Sequence, residues 1–486
     1  MKKFLNGFSD LSTTGKILVL VILLGFGNFF LTSYSLIGYD YDLDYSEGFV
    51  VENTENLIEK GSLYSEPTLE NGFKAVKYTP LYYFLMAGLG YFTGLELLTG
   101  RVINFLSALG VTLLIFLITK EISGSKNYLI PLIFLIPYLT VFTAFTIRTD
   151  MVALLFSLGG IYLALKNHIV PSSILFLAAF LTKQSFVAGF ITVSIYLLLK
   201  SDITKQRELI QKKSFKELYH TNKELARLNL FYFTGLITSL ILLHLWSPHA
   251  LQNIFLANVA GFEIRWDLIN WVHFTFLPIF GLTLYYLYMF RDRLLGTYFL
   301  FATALMVFQM LRGGAWVYSA IEPFAITVIC TGVLYSQLEI LQKKIDYVLI
   351  AQVLVFLLAP MVSGNIFDIQ EMPVYNAEAD EELVSYVEKS DSSVYVEHIG
   401  YELGVTEDYS PETWGFYEQY AAGNINRTEV VQHFEKKDYE YIITYNRIDK
   451  LPVEEYIEQN YEIVDRVERR DMILNTEDWR VYRWEG

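Results

Sequence analysis

The sequence predicts a mainly α, polytopic membrane protein: a bundle of about eleven transmembrane helices, one re-entrant or interfacial segment, and a small C-terminal α/β unit. Three observations carry this. The 486 residues are 53% hydrophobic and 18% charged, with mean hydropathy +0.34, where soluble chains of this length are more polar. Aromatic residues reach 16%, in keeping with extensive contact with bilayer interfaces. The net charge of −15 is unevenly spread, with 29 acids and 11 bases from residue 365 onward and a small positive excess before it. The predicted division is therefore 1–364, a membrane body, and 365–486, an acidic water-facing unit. One cysteine, Cys330, excludes an intrachain disulfide, and no clustered basic face points to nucleic acid.

Apolar runs near 16–37, 101–119, 127–147, 150–165, 169–182, 185–199, 229–247, 271–290, 294–311, 318–340 and 345–362 are the expected spans, with 150–165 and 169–182 short for a full crossing. Lys2, Lys3 and Lys16 precede the first, which reads as an uncleaved anchor with a cytoplasmic N-terminus. The basic loop 200–228, Arg291 with Arg293, and Lys343 with Lys344 are then expected inside. All of them fall inside only if the apolar run 80–98 does not cross. Pro80 opens that run and Gly88, Gly90 and Gly94 interrupt it, so it is expected to lie in the interface or re-enter.

This topology gathers the polar clusters 40–47, 74–77, 148–150, 182–184, 263–267 and 312–322 on the outer side, together with the acidic tail. A charge at the bilayer centre costs about 2.5–3.5 kcal/mol, so these groups are expected to line one wet cavity near the outer interface. In the tail, 378–389 has helical spacing, Asn426 is placed to cap a helix over 427–436, and Pro452 to open another. The segments 394–396, 439–445, 461–467 and 479–484 read as strands. Asn426-Arg427-Thr428 is an N-glycosylation sequon.

Asp40, Asp42, Asp44 and Glu47 crowd the start of the first outer loop, 38–100, where a carboxylate can take a proton from an attacking hydroxyl or amine. The segment Asp44-Tyr-Ser-Glu47-Gly, then Glu-Lys-Gly61 with Leu-Tyr64, then Lys77-Tyr-Thr-Pro80-Leu-Tyr, resembles the first outer loop of the GT-C glycosyltransferases. These are multispanning enzymes using sugars carried on polyprenyl or dolichyl phosphate, among them the protein O-mannosyltransferases and the lipid A aminoarabinose transferases. Arg101, Arg148-Thr149-Asp150, Leu181-Thr182-Lys183-Gln184, and Arg312-Gly-Gly314 with Tyr318 and Glu322 resemble further landmarks, in order, over roughly residues 16–340.

The resemblance implies a catalytic acid in the first loop. Spacing to the following glycine matches Glu47 best, with Asp44 the alternative; Asp150 matches a second carboxylate. Lys77 and Lys183 match positions that meet the lipid phosphate, where fixed cations stabilise charge on the leaving group. Arg101 and Arg312 are further candidates for that contact. Tyr78 and Tyr82 are candidates near the acceptor or behind the primary groups, and Tyr82, Tyr83 and the apolar face of 80–98 for a prenyl groove. His249 is a second candidate base, and Glu322 is placed to orient Arg312 or a sugar hydroxyl.

The function so implied is transfer of a sugar, with inversion, from a polyprenyl-phosphate donor to an extracytoplasmic glycan, lipid or protein in the cell membrane. The expected partners are the donor, the acceptor and the bilayer. No loop spacing demands a metal, although the carboxylates of 40–47 admit a divalent cation such as Mg2+ or Mn2+ as cofactor. The alternative readings are a polytopic transporter or lipid flippase, or a non-catalytic scaffold of glycan assembly; the absence of an internal repeat and the one-sided polar groups count against transport.

Overall fold

The computed structural model describes residues 11–66, 68–69, 74–124, 129–200, 220–255, 266–311, 316–363, 366–390, 392–403, 405–406, 410, 417, 419–420, 423–445, 453–470 and 476–484. The first helix, α1 (Thr13–Leu36), starts where the Ser12 side chain accepts a hydrogen bond from Gly15 N at 3.0 Å. A short loop leads to α2 (Ser46–Lys60), whose end is turned by Gly61 in the left-handed region at φ +64°. Then come α3 (Leu81–Thr93) and, after Gly94, α4 (Leu97–Ser123). At 13 residues α3 is about 20 Å long, short of the ~30 Å hydrocarbon core.

The run 127–147, expected as one span, is not one helix. Pro131 lies in a 3-10 turn, Ile130–Leu135, and Pro137 precedes a separate eight-residue helix, α5 (Tyr138–Phe145). The chain is extended at Thr146 and Arg148, and α6 (Thr149–Leu165) sets off at 105° to α5. This bend places Arg148 and Asp150 at a helix start inside the protein. The next helices are α7 (Ile169–Thr182) and α8 (Ala188–Lys200). Gly160 lets α7 approach α6, since a Cβ there would lie 2.5 Å from the Phe176 ring.

The body continues with α9 (Lys223–Trp246), α10 (Ala250–Phe255), α11 (Trp266–Phe290), α12 (Arg293–Met310), α13 (Ile321–Gln337) and α14 (Gln342–Ser363). Pro278 interrupts the α11 hydrogen-bond ladder, and the Gln352 side chain enters the gap. It accepts from Ile279 N at 3.1 Å and donates to Thr275 O at 2.7 Å, so the two freed backbone groups stay paired. Cys330 is buried in α13, the most enclosed of the spans.

The protein is a multi-pass membrane protein. By length and apolarity five of the described helices can cross a membrane: Thr13–Leu36, Leu97–Ser123, Lys223–Trp246, Arg293–Met310 and Val317–Gln337, with the bent pair α5–α6 as a sixth. Ile169–Thr182, Ala188–Lys200 and Thr275–Phe290 are shorter apolar helices, so the described residues give fewer full-length spans than the expected eleven.

The C-terminal α/β unit follows the expected pattern. Helix α15 (Ile366–Lys389) leads to β1 (Val394–Val396), α16 (Arg427–Lys437), β2 (Tyr441–Thr444), α17 (Glu454–Asn460), β3 (Tyr461–Arg470) and β4 (Thr476–Trp484). Asn426 caps α16 reciprocally with Glu429. The sheet order is β1-β2-β4-β3, with β1 parallel to β2 and the other pairs antiparallel. Trp479, Ile443 and Val396 fill one face, and Tyr395, Ile442 and Phe434 lie on the other.

Glu402, fully buried in this unit, accepts from Ser410 N at 2.8 Å and Ser410 Oγ at 2.7 Å. Burial pushes its carboxyl up to about 8. The native state therefore holds a proton that the unfolded chain gives up near 4.5, and the resulting stability is full below about 4.5 and lost as pH rises through about 8. Glu402→Gln should raise the thermal midpoint relative to wild type at about pH 9 and leave it little changed near pH 4. Parallel midpoint–pH curves for the two proteins would contradict this.

Candidate functional site

The loop between α1 and α2 lies under Arg101, on the first turns of α4. All five guanidinium N–H donors are used. Nε donates to Glu47 Oε1 at 3.1 Å, Nη1 to Leu36 O at 3.3 Å and to Tyr39 O, and Nη2 to Tyr41 O at 2.6 Å and Glu47 Oε2 at 2.7 Å. Glu47 is equally saturated, because Leu43 N donates to Oε2 at 2.6 Å and Ile147 N to Oε1 at 2.9 Å. Both side chains have no exposed surface.

This geometry separates the two first-loop acids. Glu47, the residue favoured by spacing, has four described donors on its two oxygens and is shut off from solvent, so its contacts hold the loop. Arg101 has no donor left for a phosphate. Asp44, one helical turn before Glu47, keeps 13% of its side chain exposed. Its Oδ2 accepts from Arg148 Nη2 at 2.7 Å and from Ser46 N at 3.2 Å. No described residue donates to Oδ1. Asp42 is fully buried, and burial, with Glu47 adding to it, holds its carboxyl well above the usual carboxylate range.

Beside Asp44 a second pair is formed by Lys183, directly after α7, and Asp150, in the first turn of α6; Nζ to Oδ1 is 2.7 Å. Tyr318 joins the two pairs. The Arg148 guanidinium lies 4.5 Å from its ring centroid and Lys183 Nζ 4.6 Å, with the Tyr78 ring 5.2 Å from the same Nζ. Burial, with Asp150 adding to it, pushes the Tyr78 phenol up from its ordinary value. The Lys77 carbonyl accepts from Gln184 Nε2 at 2.8 Å, and Thr79 Oγ1 donates to Phe180 O at 2.7 Å. The segment 77–79 thus lies against the end of α7, at the same end of the bundle as Lys183. A small pocket, about large enough for a water molecule, opens next to Asp150, with Ser185, Gln309, Tyr318 and Glu322 on its polar side and Phe186 and Leu305 on its apolar side.

Arg148 and Tyr318 are the members of this cluster to which the sequence reading gave no role. The available signal was an arginine two residues before Asp150 within an apolar stretch, a place where a charge needs a reason. Glu322 shares the pocket beside Asp150, and the other described candidates fall elsewhere. Tyr82 and Tyr83 are fully buried, and Tyr82 Oη donates to Asn104 Oδ1 at 3.3 Å, so neither lines an open prenyl groove. Glu322 accepts from Tyr298 Oη at 2.8 Å and Ser157 Oγ at 3.0 Å. Arg312 lies outside the described residues, as do 201–219 and 256–265. The His249 carbonyl accepts from Asn253 N at the start of α10, and no described contact brings the imidazole to the acidic and basic cluster.

The acids of 40–47 do not make a set fitted to a divalent cation. Asp44 faces Arg148, Glu47 faces Arg101, and Asp42 Oδ2 accepts from Gly400 N at 3.0 Å. Among the described residues no group of three or more His, Cys, Asp or Glu is placed to hold a metal ion.

No protein-family model matches the sequence, and no curated protein matches it. Solved structures do. The apo structure of ArnT from Cupriavidus metallidurans aligns over 97% of this chain and 98% of its own, with a TM-score of 0.59 and 11% identity. The same protein bound to undecaprenyl phosphate aligns over the same shares with a TM-score of 0.56. The archaeal oligosaccharyltransferase AglB from Archaeoglobus fulgidus, in complex with an inhibitory peptide and a dolichol-phosphate, aligns over 90% of this chain and 70% of its own, with a TM-score of 0.50 and 11% identity. The chain thus shares the fold of ArnT and, less closely, of AglB.

Removing one member of a buried ion pair costs about 3–5 kcal/mol, because the other charge stays buried alone. Arg101→Met and Glu47→Ala should each destabilise the protein on that scale, whereas Asp44→Asn, which removes a partly exposed partner of Arg148, should cost less. Thermal unfolding in detergent measures the order; equal losses at Asp44 and Glu47 would contradict the separation drawn between them.

Proposed function

We propose that this protein is a membrane glycosyltransferase that moves a sugar from a polyprenyl-phosphate donor to an acceptor on the extracytoplasmic side, with Asp44 as the base. The observation that carries this reading is Asp44, one of whose oxygens accepts from no described residue, beside Arg148 and Lys183, both stacked on the Tyr318 ring. The ArnT structure with undecaprenyl phosphate and the AglB structure with dolichol-phosphate support a lipid-phosphate ligand for this fold.

The chemistry follows from charge. The two ion pairs Asp44–Arg148 and Asp150–Lys183 are together neutral. A sugar–phosphate diester brings one negative charge, and Lys77, whose backbone lies against the residues that follow Lys183, is the cation assigned to offset it. The acceptor hydroxyl attacks the anomeric carbon, the bond from that carbon to the phosphate oxygen breaks, and the electron pair leaves with the polyprenyl phosphate. Asp44 takes the hydroxyl proton, and in-line attack inverts the anomeric configuration. Arg148, Lys183 and Lys77 stabilise the second negative charge that forms on the phosphate. Arg148, paired with Asp44, is in this reading shared with the incoming phosphate. In this reading residues 1–364 carry the reaction, and 365–486 form a separate extracytoplasmic unit.

The test is incubation of the purified protein with labelled polyprenyl-phosphate sugars. Sugar release or transfer supports the reading, and uptake into vesicles without release contradicts it. Asp44→Asn should lower turnover about 10²- to 10⁴-fold with donor affinity nearly kept. Lys183→Met should weaken donor binding about 10- to 100-fold, the scale of one charge-assisted contact. Wild-type turnover in Asp44→Asn would remove the base assignment.

A further inference from the structure

Two buried arginines grip the loop before Asp44, from opposite sides. Arg101 reaches it from the membrane bundle. Arg469, on β3 and 1% exposed, reaches it from the C-terminal unit, where Nη2 donates to Asp42 O. Arg469 is held in turn by Asp380 of α15, whose Oδ1 accepts from Arg469 Nε at 2.8 Å. Asp380 is itself fully buried and also accepts from the hydroxyls of Tyr39, in the loop, and Tyr401. Among them, the two arginines take the carbonyls of Leu36, Tyr39, Tyr41 and Asp42.

The backbones meet as closely. Gly400 N donates to Asp42 Oδ2 at 3.0 Å, and a Cβ on Gly400 would lie 2.1 Å from Asp42 Cγ. A Cβ on Gly48, in the first turn of α2, would lie 2.3 Å from Gly400 N. Only glycine fits at either place without moving the loop or the unit. Asp44 lies between these contacts, two residues after Asp42 and four before Gly48.

We propose that the C-terminal unit is a positioning element for the reaction: Arg469, Asp380 and Gly400 fix the segment 39–48 and thereby the direction of the Asp44 carboxylate. None of the three touches the site cluster; they act through the loop. The proposal rests on Asp44 as the base, and its test has a readout that does not depend on that assignment.

The experiment uses the full chain in lipid nanodiscs, comparing wild type with Arg469→Met, Gly400→Ala, Arg469→Lys and Tyr39→Phe. Backbone hydrogen exchange in 39–48 should rise about tenfold in Arg469→Met and Gly400→Ala, with exchange in β2, β4 and the membrane helices unchanged. Tyr39→Phe, which removes one hydroxyl and keeps the ring, should raise it about threefold and covers the case in which the larger changes prevent folding. Turnover should fall with the rise in exchange while donor KM stays near wild type, and Arg469→Lys should recover part of both. Unchanged exchange in 39–48 in any two folded variants would overturn the proposal, as would a fall in turnover caused wholly by KM. Raised exchange in a protein that transfers no sugar even as wild type would support the clamp and remove the glycosyl-transfer reading instead.

Discussion

The pairing of Arg101 with Glu47 is the constraint on which the site depends. A buried guanidinium is tolerable only when its charge is balanced and its donors are used, and here both conditions are met by one carboxylate and three backbone carbonyls. Those carbonyls belong to the end of α1 and the loop after it. The arginine therefore does more than neutralise an acid, because it dictates the path of the chain from Leu36 to Glu47. Ile147 N, also bonded to Glu47, ties that path to the break between α5 and α6. Arg148 comes next in sequence, so the residue that meets Asp44 is placed by the same carboxylate that fixes the Asp44 loop.

A second consequence concerns charge. The cluster around Tyr318 is assembled from ion pairs that are complete before any substrate arrives. Such an arrangement keeps two cations available at low cost in a nearly dry place, since each has a carboxylate to release and an aromatic face to rest on. An anionic ligand can exchange for those carboxylates without leaving any charge alone. That charge balance is the physical basis of the proposal that the cluster takes an anionic ligand.

Much of this was legible in the sequence. The strands and helices of the C-terminal unit followed from alternation, from Asn426 as a cap and from the acidic composition. Lys77 and Lys183 were expected near one another, and the contacts of Gln184 and Thr79 join their segments. The separation of Asp44 from Glu47 was not legible. Both are acids at a helix start, and the difference lies in burial against Arg101, a residue 54 positions away from Glu47. Tyr82 and Tyr83 read as candidates for a prenyl groove and are fully buried, since a pattern of aromatic residues does not say which face packs inward. The break at 131–137 was visible as two prolines inside an apolar run, and hydropathy alone averages over such breaks.

The most direct measurement is a double-mutant cycle on unfolding free energy with Glu47→Gln and Arg101→Met, in the full chain reconstituted in nanodiscs. If the two side chains satisfy each other and together hold the loop, each single change strands a buried partner. The double variant should then be more stable than the sum of the singles predicts, by about 3 kcal/mol. Additivity within about 0.5 kcal/mol would mean that the pair is not coupled, and the loop that presents Asp44 would have to be held by something else.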